Sequence, residues 1–167
     1  MEKNRIPKYI AIEGPIGVGK TSLAKQISQE FGHELCLEKP DENPFLNSFY
    51  ENTQKYAFAT QMHFVMQRSQ QINMYFSDDL IEKPIVSDFI FQKEDLFAEL
   101  NLSADELNIF KEIKTKFYET FPKPDLLIYL QASPKQIFER VRKRGRTYED
   151  SISCLLYTSD AADDHHR

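Results

Sequence analysis

Residues Gly14-Pro15-Ile16-Gly17-Val18-Gly19-Lys20-Thr21 fit the pattern G-x-x-x-x-G-K-[ST]. Glycines let successive backbone N–H groups turn inward around phosphate oxygens. A helix beginning near Gly19 adds its positive dipole end. Lys20 can reach the β- and γ-phosphates, and the Thr21 hydroxyl can bind Mg²⁺. The flanks supply the context that the pattern needs. Lys8-Tyr9-Ile10-Ala11-Ile12-Glu13 reads as a buried strand, and Leu23, Ala24, Ile27 and Phe31 follow at helical spacing. A glycine-rich turn with an exposed lysine is the bland alternative, and the strand-helix context disfavours it. The motif implies a nucleoside triphosphate and leaves the phosphoryl acceptor open.

Two carboxylates point to the acceptor side. Glu38 closes the run His33-Glu34-Leu35-Cys36-Leu37-Glu38, and Asp88 follows Ile85-Val86-Ser87. In an open parallel sheet, ligands bind beyond the C-terminal ends of the strands, where both groups would lie. Glu38 could accept a proton from an attacking hydroxyl, and Asp88 could hold Mg²⁺ or a water. Their bland readings are a strand-end charge and a turn cap. The segment Arg140-Val141-Arg142-Lys143-Arg144-Gly145-Arg146 carries five positive charges in seven residues. It can be a solvated helix face, a nucleic-acid contact, or a lid whose guanidinium forks close over a triphosphate, with Gly145 permitting a bend.

These residues need a frame that brings them together. Helices are predicted over 19–31, 44–51, about 54–76, 93–99 and from Ser103 to about Phe121, the last opened by a Ser103–Glu106 capping box. A fourth strand is Asp125-Leu126-Leu127-Ile128-Tyr129-Leu130-Gln131, and Ser133-Pro134 opens a helix running into the basic segment. Strands separated by helical crossovers imply a parallel sheet covered on both faces. The chain has 167 residues and a formal net charge of −5. A mildly acidic total argues against broad nucleic-acid binding. No apolar run approaches the roughly 18 residues of a membrane span, and the N-terminus lacks a signal-peptide core, so a cytoplasmic protein is expected. Two cysteines, Cys36 and Cys154, exclude a disulfide scaffold. The stretch from Cys154 to Asp163 resembles a translated frame of a transposon-end sequencing adapter. Its bland reading is a polar tail.

Several motifs in order give the chain a family resemblance. They are Ile10 to Thr21; Leu37-Glu38-Lys39-Pro40 with Asn43-Pro44-Phe45-Leu46; Tyr56-Ala57-Phe58-Ala59-Thr60-Gln61; Asp88-Phe89-Ile90-Phe91 leading to Leu96-Phe97-Ala98; and Arg140 to Glu149. Over residues 8 to about 153 the sequence resembles the bacterial branch of the deoxynucleoside kinases. The resemblance implies an α/β fold, a P-loop NTPase-type three-layer sandwich with strand order 2-3-1-4-5. On this reading residues 1–153 form a kinase domain lacking its last strand and C-terminal helices, with the edge of Leu126–Leu130 bared. Residues 154–167 are then a non-native tail.

The resemblance also implies roles. ATP and Mg²⁺ are the expected donor and ion, and a deoxynucleoside, purine by first preference, is the partner. Glu38 falls on the general base. Gln61 falls on the glutamine that reads the nucleobase, and Tyr50 and Glu149 fall on the contacts to the sugar 3′-hydroxyl. Asp88 matches the acid after the third strand. Tyr56, Phe58 and Phe91 are candidate walls for a flat base, with core packing as the alternative. Lys20, Arg140, Arg144 and Arg146 would hold transition-state charge, and Arg142 the triphosphate. Homodimers are common in the family. One position departs: Phe89 stands where many members carry arginine. Arg68, seven residues after Gln61, could replace that cation or be a surface charge. A nucleoside monophosphate kinase of thymidylate-kinase type is the competing enzyme reading, kept open by Lys39. A nucleotide-binding fragment without turnover is the third.

Overall fold

All five residues of the first strand, β1 (Tyr9–Glu13), are buried. A strand achieves this only inside a sheet with cover on both faces. In the computed structural model, which describes residues 6–76, 83–117 and 122–145, β1 is such a strand. It pairs in parallel with β3 (Ile85–Ser87) on one side and β4 (Leu126–Tyr129) on the other, and β2 (Glu34–Cys36) pairs in parallel with β3. The order is β2-β3-β1-β4, which agrees with the expected order as far as the described strands go.

Alternate residues of β1 serve opposite faces. Tyr9 and Ala11 pack with Cys36, Ile85, Phe89 and Phe91 against Ile72, Tyr75 and Phe76 of the long helix α3 (Thr53–Phe76). Ile10 and Ile12 pack with Val86 against Ala24 and Ile27 of α1 (Lys20–Phe31). A third cluster, Val65, Ala98 and Phe110, joins α3 to α4 (Lys93–Asn101) and α5 (Ala104–Phe117). The short α2 (Leu46–Glu51) precedes α3, and α6 (Pro134–Arg144) follows β4. Among the described residues no helix is long and apolar enough to cross a membrane.

The capping box at Ser103 forms as expected, with the Ser103 N–H donating to Glu106 Oε2 at 2.9 Å. A second closes the start of α6 between Ser133 and Gln136. The strands are shorter than their apolar runs suggest. β2 stops at Cys36 because the next backbone donor that matters, the Glu38 N–H, goes to the Asp88 carboxylate and not to a neighbouring strand. The predicted helix over 44–51 begins only at Leu46. Before it lies a 3-10 turn, Pro40–Glu42, and the Asn43 side chain that receives the Phe45 N–H. β4 is the outer strand of the described sheet, with Leu126, Leu127 and Tyr129 at 42%, 51% and 60% exposure.

Cys36 shows how closed the sheet core is. It is fully buried, and burial pushes its thiol up to about 12. The thiolate is the reactive form. Native protein treated with iodoacetamide at pH 8 is therefore expected to leave Cys36 unmodified, with labelling only after denaturation. Peptide mapping by mass spectrometry checks this, and native labelling of Cys36 would contradict the packing.

Candidate active site

The C-terminal ends of β1 and β3 open onto one place. The loop after β1 makes two close approaches that demand glycine. Gly14 has φ 145°, and a Cβ there would lie 2.3 Å from the Leu130 carbonyl oxygen. Gly17 has φ 77°, and its Cβ would meet Val141 Cγ2 of α6 at 2.7 Å. The loop is thus pressed between the end of β4 and α6 before α1 begins. Gly19, also left-handed, stands at the helix N-cap with no side chain of its own to cap the first amides. Those amides remain for an anion.

Lys20 folds over this loop. Its Nζ donates to the carbonyl oxygens of Gly14 at 2.7 Å and Pro15 at 3.0 Å. Burial holds its ammonium below the ordinary lysine range, the charge of Lys93 acts the same way, and Glu13, Glu38 and Asp88 act against both. Arriving phosphate oxygens would relieve that penalty and could take over both hydrogen bonds.

Asp88 joins the two halves of the site. One carboxylate oxygen accepts the Thr21 hydroxyl. The other accepts the Glu38 N–H at 2.8 Å. Burial pushes the Asp88 carboxyl above the usual carboxylate range, and these two hydrogen bonds offset that only in part. The bland reading of Asp88 as a simple turn cap does not describe a group that bridges two separate segments. Glu38 is half-buried, and its Oε1 receives Arg68 Nη2 at 2.7 Å.

Arg68 is no surface charge. It is 4% exposed, stacks its guanidinium 3.9 Å from the Phe89 ring centroid, and donates to Gln71 Oε1 at 3.1 Å. Its Nε lies 3.6 Å from Glu94. The residue standing where arginine was expected thus carries an arginine from α3 on its face. Gln61 is 4% exposed, and among the described residues no side chain or backbone group hydrogen-bonds its amide. Tyr50 and Tyr56 are half-buried on α2 and α3.

The basic segment separates into distinct environments. Arg140 Nη1 donates to the Val18 carbonyl at 2.8 Å, which ties α6 to the phosphate loop. Arg142 and Arg144 are exposed in the last turn of α6, where positive charge favours a helix C-terminus. Gly145, expected to allow a bend, instead stops α6 as a left-handed C-cap with φ 66°. Arg146 and Glu149 lie outside the described residues.

One aromatic expectation is corrected. Phe91 is fully buried, packed edge-on against Phe76 and Phe89 in the sheet core, so it has no free face for a base. Phe58 packs against the Val65, Ala98 and Phe110 cluster. Both rings are held by the apolar driving force that builds the α3 interfaces.

Comparison with known proteins fits this geometry. The family model described as deoxynucleoside kinase matches residues 10–160. The chain belongs to the deoxynucleoside kinase family. Its activity is accordingly that of a deoxynucleoside kinase, a phosphotransferase using a nucleotide phosphate donor. The kinase is 39% identical over 146 residues to the deoxyguanosine kinase of Bacillus subtilis, covering 86% of this chain and 70% of that one. It is 32% identical over 152 residues to the deoxyadenosine kinase of Lactobacillus acidophilus, covering 85% and 69%. In fold it matches the structure of deoxyadenosine kinase from M. mycoides with products dCMP and a flexible dCDP bound. The TM-score is 0.70 at 24% identity, over 93% of this chain and 86% of that one.

Sequence reasoning missed Glu13, Lys93 and Glu94. Glu13 Oε1 accepts both the Gly14 N–H and the Lys93 ammonium, each at 2.8 Å, at the entrance to the phosphate loop. A carboxylate ending a wholly apolar strand was the available signal. Nothing in the local pattern of 93–99 marks Lys93 or Glu94, because their partners lie on β1 and α3.

The tight seat of Gly14 gives a direct test. Gly14→Ala is expected to destabilise the fold by at least the roughly 1–3 kcal/mol of a forced left-handed backbone, with the clash against Leu130 adding to it. Urea unfolding reads the loss, and an unchanged midpoint would contradict the described loop.

Proposed function

We propose that this kinase transfers the γ-phosphate of ATP to the 5′-hydroxyl of a purine deoxyribonucleoside, with Glu38 as general base. The observation that carries the reading is the Asp88 bridge. It sets the Glu38 segment beside Thr21, at the start of the helix that would cradle the phosphates. A hydroxyl seated at Glu38 is then close to the end of a triphosphate lying on residues 14–21. The purine preference is supported by relatives named deoxyguanosine and deoxyadenosine kinases.

In the proposed reaction the 5′-oxygen forms a bond to the γ-phosphorus while the bond to the β–γ bridging oxygen breaks. The hydroxyl proton passes to Glu38. Little covalent chemistry falls to the protein, so positioning and electrostatics dominate. Lys20 releases the Gly14 and Pro15 carbonyls and turns its charge on the phosphates. Arg140, already against the Val18 carbonyl, is placed to share that work. Arg144 and Arg146 would join it and Arg142 would hold the triphosphate as the segment closes. Thr21 and Asp88 offer a hydroxyl and a carboxylate, the oxygen donors that suit Mg²⁺ alongside substrate phosphates. When bound there, Mg²⁺ would neutralise phosphate charge. Gln61 would offer a donor and an acceptor to a nucleobase edge, Tyr56 a ring to stack on it, and Tyr50 and Glu149 the 3′-hydroxyl contacts. The compartment assigned is the cytoplasm. Lys39, which kept a monophosphate acceptor open, pairs instead with Glu42 at 3.1 Å on the surface.

Two variants test the roles. Glu38→Gln should lower kcat by about 10²–10⁴-fold, the usual worth of a general base, with nucleoside binding nearly unchanged; an unaltered kcat would remove Glu38 from the role. Gln61→Ala should raise the nucleoside KM by about tenfold, one hydrogen bond's worth, and alter base choice. A defect confined to ATP would contradict it.

A further inference from the structure

Glu38 does not hold its position alone. Of its two carboxylate oxygens, Oε1 is occupied by Arg68 Nη2 at 2.7 Å, which leaves Oε2 to meet a substrate hydroxyl. Arg68 is itself fixed on several sides. Gln71 accepts from Nη1 at 3.1 Å, Glu94 lies 3.6 Å from Nε, and the Phe89 ring supports the guanidinium plane. Gln71 is in turn held by the Leu37 carbonyl at 2.8 Å, one residue before Glu38. The guanidinium and the Glu38 backbone are thus tied to the same short segment.

A buried guanidinium is a poor way to gain stability, because desolvation offsets most of the ion-pair attraction. A planar fork that hydrogen-bonds one carboxylate and one amide, with a second carboxylate close by, is, however, well suited to fixing one oxygen in space. We infer that Arg68 is a positioning residue for Glu38: it anchors one carboxylate oxygen so that the other faces the acceptor hydroxyl. This rests on the reading of Glu38 as general base. Lysine at 68 would keep a charge but lose the fork, so charge alone does not replace the function.

A double-mutant cycle tests it. The protein is assayed with ATP and deoxyguanosine as wild type, Arg68→Lys, Glu38→Gln and the combination. Arg68→Lys should lower kcat by about 100-fold, the scale of a misplaced reacting group, while the KM for ATP stays within about twofold. In the Glu38→Gln background the Arg68→Lys loss should vanish, since there is no base left to orient. If Arg68→Lys unfolds the protein, Arg68→Met with Glu94→Gln removes both buried charges and enters the same cycle. Equal losses in the two backgrounds, an unchanged kcat, or an effect limited to nucleoside KM would each overturn the inference. Failure of the Glu38 reading is seen separately, in a Glu38→Gln single variant that retains full kcat.

Discussion

Asp88 holds together two chain segments that leave the sheet at different strands. The chain after β1 turns into the phosphate loop, and the chain after β2 turns toward α2. Each supplies one donor, the Thr21 hydroxyl and the Glu38 amide, to opposite oxygens of the same carboxylate. Because β3 lies between β1 and β2 in the sheet, a short side chain at its end can reach both. The strand order is thus what makes the site possible. That central carboxylate is the direct tie between the donor loop and the proposed acceptor side.

Around this bridge the charges alternate. Glu13 stands between the Gly14 amide and Lys93, Lys20 sits over the loop carbonyls, and Arg68 lies between Glu38 and Glu94. Lys93 and Glu94 are neighbours at the start of α4, and one reaches the phosphate loop while the other reaches the Arg68 cluster. Buried charges of this kind are tolerated only when partnered. The arrangement leaves Lys20 as the group with most to gain from an incoming anion, since burial and Lys93 both weigh against its charge. Binding energy from the phosphates can thus be spent on moving Lys20 from backbone carbonyls to the reacting group.

Much of this was readable in the sequence, for identifiable reasons. The phosphate loop is local: its glycines, lysine and threonine are contiguous, and the strand and helix on either side announce themselves by period. Asp88 and Glu38 were found because parallel sheets deliver strand ends to one edge. What stayed hidden depends on contacts far apart in the chain. Arg68 could not be separated from a surface charge until Phe89, Gln71 and Glu38 were placed around it. Phe91 was offered as a wall of a base site, but aromatic residues near a site look alike in sequence whether they line a pocket or fill a core. Gly145 was read for flexibility, and its left-handed conformation instead ends a helix.

The central claim is geometric, and a crystal structure of the kinase with a deoxynucleoside and a non-hydrolysable ATP analogue tests it most directly. The account predicts the triphosphate against the amides of residues 14–21 and the nucleoside 5′-oxygen within hydrogen-bond distance of the Glu38 carboxylate, on the side facing the γ-phosphate. A nucleoside whose 5′-oxygen faces away from Glu38, with the triphosphate seated elsewhere, would contradict it.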